Sequence, residues 1–92
     1  MVYLICYDIV QDRRRCRAAH LLEGYGMRVQ KSVFECVLTQ KQLEMVQRKL
    51  AGYIDETEDQ VRFYPMSAHT RGKVMILGQQ PIRQIDDSAF IV

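Results

Sequence analysis

The stretch Val2-Tyr3-Leu4-Ile5-Cys6-Tyr7-Asp8, followed by Ile9-Val10-Gln11-Asp12-Arg13-Arg14-Arg15-Cys16-Arg17, decides how the chain begins to fold. Residues 2 to 7 are apolar or aromatic without interruption, which predicts a strand buried on both faces and central in its sheet. Asp12 is placed to cap a helix running to about Tyr25, where Ala18, Leu21, Leu22 and Tyr25 fall at i, i+3, i+4 and i+7. Gly26 supplies the stop. The opening is therefore β then α, with Asp8 where the strand ends and the arginines where the helix begins.

Outward from this pair, Met27 to Leu38 is strand-like but changes the phase of its alternation, so two short strands, or one sharply bent strand, should change direction near Lys31-Ser32. Thr39 with Gln42 has the spacing of a capping box, and Leu43, Val46 and Leu50 give the inward stripe of a second helix ending at Gly52, with Glu44 and Arg48 set for an i,i+4 pair. Beyond the acidic, turn-prone 55–59 segment, Val61 and Phe63 alternate with Arg62 and Tyr64. Pro65 marks that strand as an edge or as ending there. Residues 73–77 read as a fifth short strand closed by Gly78.

The order β-α-β-β-α-β is that of a ferredoxin-like sandwich, an α+β fold with two helices on one face of an antiparallel sheet and here an added fifth strand. Residues 1–78 are expected to form this domain and 79–92 a C-terminal tail. One sheet face is left without helices, and a second copy of the chain is the simplest cover for it, so a homodimer is expected.

Composition sets further bounds. Ninety-two residues, 48% hydrophobic and 26% charged, suit one folded domain and exclude collagen, coiled coil and wholesale disorder. A chain this short cannot build both a full core and a deep cavity, so a site should be shallow or shared between subunits. No apolar run nears the roughly 18 residues of a membrane span, and the N-terminus lacks the basic region and cleavage site of a signal peptide, which points to a cytoplasmic protein. Three scattered cysteines, Cys6, Cys16 and Cys36, do not make a disulfide framework. Residues 1–34 hold six basic groups (Arg13, Arg14, Arg15, Arg17, Arg28, Lys31) against three acidic ones (Asp8, Asp12, Glu23), so the positive charge gathers in the first third.

Two features suggest chemistry. Asp8 ends an apolar strand, and strand interiors disfavour Asp. It either turns the chain or serves as an oxygen ligand for Mg²⁺ or Mn²⁺, which take one or two carboxylates with waters and substrate phosphate. A twofold axis nearby would bring two Asp8 carboxylates to one ion. The Arg13-Arg14-Arg15-Cys16-Arg17 run sets cations in the first turn of a helix, where the dipole disfavours them. The run is either a solvated basic face paired with acidic neighbours or a phosphate-binding surface. By helical position Arg15 and Arg17 are the better candidates to reach the strand end. The aromatics do not spell the signature of an RNA-recognition sheet; Cys16 and His20 at i,i+4 could share a metal with Cys6 and Cys36, but no pair has the close Cys-x-x-Cys spacing of a structural zinc site and no motif supports a Cys/His nucleophile.

Taken in order, Tyr7-Asp8-Ile9, the Arg-Arg-x-Arg helix start, Leu21-Leu22-x-x-Tyr25-Gly26, the Arg28-Val29-Gln30-x-Ser32-Val33-Phe34-Glu35 segment and Asp59-Gln60-Val61-Arg62-Phe63-Tyr64-Pro65 resemble the small CRISPR-associated endonucleases of the Cas2 family. The resemblance runs from residue 1 to about 78. It implies a ferredoxin-like homodimer engaged in spacer acquisition, serving with an integrase subunit as scaffold for a DNA duplex, and a metal-dependent nuclease acting on single-stranded RNA or double-stranded DNA. The alternative is a structural subunit of the integrase complex without nuclease activity of its own. Carried over by position, Asp8 matches the metal-binding Asp and Tyr7 the aromatic before it. Arg15, Arg17, Arg28 and Phe34 match residues that influence activity, and Arg13 and Arg14 join Arg15, Arg17 and Arg28 as expected nucleic-acid contacts. The fifth strand would cross to the partner's sheet, and the tail would be free to meet the integrase. The expected cofactor is Mg²⁺ or Mn²⁺.

Overall fold

The computed structural model describes residues 1–67 together with Thr70, Gly72, Lys73, Met75 and Leu77. Six elements follow in order: β1 (Val2–Asp8), α1 (Asp12–Glu23), β2 (Gly26–Gln30), β3 (Val33–Val37), α2 (Gln40–Tyr53) and β4 (Gln60–Met66). The four strands form one antiparallel sheet in the order β2-β3-β1-β4. This is the ferredoxin-like α+β arrangement that the element order requires.

β1 is central, as its apolar run demands, but only one of its faces is covered. Tyr3, Ile5 and Tyr7 are buried in the core with Phe34 and Cys36 of β3, Leu22 of α1 and Val46 and Leu50 of α2. Leu4 and Cys6, of the opposite parity, are only half-buried, so the expectation of burial on both faces is corrected. Both helices pack on the Tyr3-Ile5-Tyr7 side, and strand alternation delivers Leu4, Cys6 and Asp8 to the side that has none. Residues directly opposite in the ladder share that face: Gln60, Arg62 and Tyr64 from β4, and Val33, Glu35 and Val37 from β3.

Local chemistry fixes the element ends. The capping box of α2 is complete, with Gln42 N donating to Thr39 Oγ1 at 3.1 Å and Thr39 N donating to Gln42 Oε1 at 2.9 Å. Glu44 accepts from Gln40 Nε2 at 3.2 Å instead of pairing with Arg48. The start of α1 differs from expectation. Gln11 holds the N-cap position without a side-chain cap, and Asp12 is the first helical residue, its carboxylate paired with Arg15. The helix stops at Glu23 with Gly24 capping, before Tyr25. Gly26 is not the stop; it opens β2 opposite Cys36. The turn between β2 and β3 falls at Lys31-Ser32 as the phase change indicates, with Ser32 in the left-handed region at φ 69°. Ser32 O accepts from Tyr7 N at 3.0 Å, which ties the turn to the end of β1. Pro65 lies in β4, at the edge of the sheet, where its missing N–H costs no ladder bond on the inner side. The fifth strand falls largely outside the described residues, and the 79–92 tail wholly so. Of 73–77 only Lys73, Met75 and Leu77 are described, the last two strongly exposed.

Candidate nucleic-acid and metal site

Asp8 stands at the last position of β1, exposed, on the helix-free face, directly opposite Gln60. Its carboxylate has no hydrogen bond or ion pair among the described residues, where no group of three His, Cys, Asp or Glu side chains gathers as a metal cage. Diagonal to it on the same face is Arg62, whose Nε donates to Gln60 Oε1 at 3.0 Å and whose Nη1 donates to Tyr64 Oη at 3.2 Å. The bond to Tyr64 holds its guanidinium pKa above the ordinary value. Sequence reasoning misses Arg62 as a member of this face, although its outward parity between Val61 and Phe63 is the signal that could find it.

The segment after Asp8 is pinned from two directions. Arg15 reaches it, donating from Nη1 to Ile9 O at 2.8 Å and, more loosely, to Val10 O at 3.4 Å. From the other side comes Asp59, whose carboxylate is fully buried. Its Oδ1 accepts from Val10 N at 3.0 Å, and its Oδ2 accepts from Asp55 N at 2.8 Å and from Arg14 Nε at 2.8 Å. Arg14 Nη2 also donates to Glu58 Oε1 at 2.7 Å. Arg14, expected to contact nucleic acid, is thus committed to two carboxylates and only one-fifth exposed. The pairing of Asp59 with Arg14 is invisible in sequence because the two lie 45 residues apart.

The Arg14 fork holds the Asp59 carboxyl at about 2, below its ordinary 3.8. A depressed carboxylate pKa contributes stability that is present above the unfolded value and lost as pH falls through the folded one. Asp59→Asn should therefore melt lower than the parent at pH 6, and the gap should narrow as pH drops from 3.8 towards 2. Melting curves of the two proteins across that range check this; a gap independent of pH would remove the carboxylate's charge from the account.

Tyr7 and Phe34 sit on the opposite, helix-covered face from Asp8, their rings stacked at 6.3 Å between centroids. Arg28 lies over the Phe34 ring, 5.1 Å from its centroid. Burial pushes the Tyr7 phenol upward, partly opposed by Arg28, Ser32 and Arg15, so Tyr7 stays a neutral donor at pH 7. Arg17 is not brought to the strand end. It stacks on Tyr53 of α2, 4.4 Å from the ring centroid. Arg13 is exposed and makes no hydrogen bond or ion pair among the described residues. The expected set thus divides: Asp8 and the pinned Ile9-Val10 turn on one side, Tyr7, Phe34 and Arg28 through the sheet, and Arg13 and Arg17 out on the helices. Among the described residues no helix is long and apolar enough to cross a membrane.

The family model described as CRISPR associated protein Cas2 matches residues 1–74. The CRISPR-associated endoribonuclease Cas2 3 of a Synechocystis strain is 46% identical over 90 residues, 98% of each chain. The crystal structure of Streptococcus pyogenes Cas2 superposes with a TM-score of 0.78 at 35% identity, covering 85% of this chain and 100% of that one. A chain of a partial Cas6-RT-Cas1–Cas2 complex superposes with a TM-score of 0.74 at 34% identity, covering 92% and 93%. The end-to-end match in sequence and the shared sheet and helix layout together make this chain a member of the CRISPR-associated Cas2 family.

Proposed function

We propose that this chain is a Mg²⁺-dependent endonuclease, cutting phosphodiester bonds of single-stranded RNA or double-stranded DNA as a homodimer, and that it binds DNA beside an integrase subunit during spacer acquisition. The observation that carries the reading is the free, exposed carboxylate of Asp8 at the end of a rigid central strand. Its relatives support it, one named a CRISPR-associated endoribonuclease and another a chain of a Cas6-RT-Cas1–Cas2 complex.

Asp8 fits a hard divalent cation and no other metal class. An exposed oxygen donor, with no group of three His, Cys, Asp or Glu side chains to form a cage among the described residues, suits an ion that keeps most of its waters. When bound, Mg²⁺ supplies polarisation of a phosphate oxygen and a water of lowered pKa. The chain's own residues do the rest. Asp8 from each copy would hold the ion and Arg62 would offer positive charge on the same face, while the Asp59 and Arg15 bonds fix the turn that follows Asp8 so that the carboxylate does not wander. Second copies are favoured by the apolar character of the helix-free face, where Val37 is 65% and Tyr64 44% exposed. Arginines on the helix side, joined by Arg28, would hold backbone phosphates without regard to sequence, so binding should weaken as salt rises.

The test follows the metal. Chelation with EDTA should abolish cleavage of labelled single-stranded RNA and double-stranded DNA, and added Mg²⁺ should restore it, in a protein that sediments as a dimer. Cleavage indifferent to EDTA would overturn the metal reading. A dimer that binds DNA and supports integration yet never cleaves would establish the structural subunit instead.

A further inference from the structure

Asp8 and the helix-free sheet face occupy one side of the molecule; a second recess lies on the helix side. It is a groove of about 540 Å³ lined by Arg13, Cys16, Arg17, His20 and Leu21 of α1 and by Tyr53 at the end of α2. Its volume lies within the range of small-molecule sites. Arg13, Arg17 and His20 recur at four- and three-residue steps, so they form one stripe along the helix.

Among the described residues that stripe is uncompensated. Like charges at i,i+4 repel, and Arg13 also stands in the first helical turn, where the dipole opposes it. The neighbouring arginines have their counter-charges, Arg14 in Glu58 and Asp59 and Arg15 in Asp12. Arg13 has none among the described residues, Arg17 has only the face of Tyr53, and no acidic side chain is among those lining the groove. Beside the cations, Leu21 and Tyr53 pack against the core and present an apolar wall. A local rule broken without internal compensation, next to a flat aromatic surface, calls for a ligand that is both anionic and planar.

We propose that this groove binds a nucleoside phosphate, with the phosphate held by Arg13, Arg17 and His20 and the base stacked at the Tyr53 ring. Guanidinium groups take phosphate through paired, charge-assisted bonds, and an aromatic ring accepts the π-face of any base. Arg17 already lies over the Tyr53 ring, so a base can take its place there while the guanidinium turns to the phosphate. A free nucleotide and the phosphorylated end of a strand carry the same chemistry. The inference rests on the proposed role of the helix-side arginines as phosphate contacts and deepens it; Asp8 does not line the groove, so a titration without metal separates its failure from that of the Asp8 metal reading.

The full chain, in EDTA so that no cleavage intervenes, is titrated with AMP, adenosine, inorganic phosphate and 5′-phosphorylated tetra-adenylate, following amide shifts of α1 and Tyr53 by NMR. AMP should bind, with adenosine and phosphate each at least about tenfold weaker because neither satisfies both halves of the site. Arg13→Ser, a change at an exposed position away from the core, should weaken AMP by about tenfold, and so should Tyr53→Leu, which keeps apolar bulk but loses the ring. Melting curves verify that both variants are folded. Tetra-adenylate binding well above AMP identifies a strand end as the source, and equal binding identifies the free nucleotide. The proposal is overturned if neither binds at millimolar concentration, if phosphate alone matches AMP, or if folded Arg13→Ser binds AMP undiminished.

Discussion

Gly26→Ala is expected to destabilise the protein by about 3 kcal/mol or more, the range in which added atoms meet a core unable to yield. Gly26 opens β2 directly opposite Cys36 of β3. A Cβ at this position would stand 2.1 Å from Glu35 O and 2.7 Å from both Cys36 Cα and Cys36 Sγ. Two of those atoms are backbone of a strand that is itself hydrogen-bonded to β1, and the third belongs to a fully buried side chain. No rotamer change relieves such an overlap, so β2 must part from β3. For a chain of 92 residues the whole folding free energy is about 5 to 14 kcal/mol, which makes the loss a large fraction of it. The melting temperature should fall by roughly 15 °C. Gly52→Ala is the internal control. Gly52 is exposed in the last turns of α2, and a Cβ added there would meet nothing within 4 Å. Alanine at that position should stabilise by about 0.5 to 1 kcal/mol through helix propensity alone. Near-native melting of Gly26→Ala would mean that the two strands are not held at this spacing.

Gly26 also shows what sequence can and cannot reveal. From the chain alone it reads as a helix stop, because a glycine after Tyr25 satisfies that local pattern; its real constraint is the approach of another strand, which no local spacing encodes. What is legible is what short-range chemistry dictates. Thr39 and Gln42 cap α2 as their three-residue separation requires. Leu43, Val46 and Leu50 are its buried stripe. The phase change near Lys31-Ser32 is a real turn, and the element order yields the sheet order. Asp8 emerges at the end of β1 for the same reason, since strand parity follows from the run that precedes it. The arginines resist reading because each has a different fate set by tertiary neighbours. Arg14 turns to Asp59 and Glu58, Arg15 to the Ile9 carbonyl, Arg17 to Tyr53, and only Arg13 stays free among the described residues. A charge run gives the sign of a surface and leaves open which of its members remain available to a ligand.

Asp8→Asn should reduce metal-dependent cleavage on the order of 100-fold or more while leaving the fold intact. The carboxylate is exposed and unpaired among the described residues, so the amide removes little native interaction, and surface changes of this kind barely move stability. What changes is the charge offered to a hard cation, for which an amide oxygen is a poor substitute. A control for position is Gln60→Ala, which alters the residue directly opposite but leaves every carboxylate, and should cost much less than Asp8→Asn. Mixing equal amounts of parent and Asp8→Asn protein and allowing subunits to exchange then asks how many carboxylates are needed. If the twofold arrangement requires one from each copy, only parent dimers cleave and activity falls to about one quarter of the unmixed parent at the same total concentration. If a single carboxylate suffices, the mixed dimers cleave as well and about three quarters remain. Full cleavage by the Asp8→Asn dimer alone would leave the strand end without a catalytic role and turn attention to the arginines as a binding surface only.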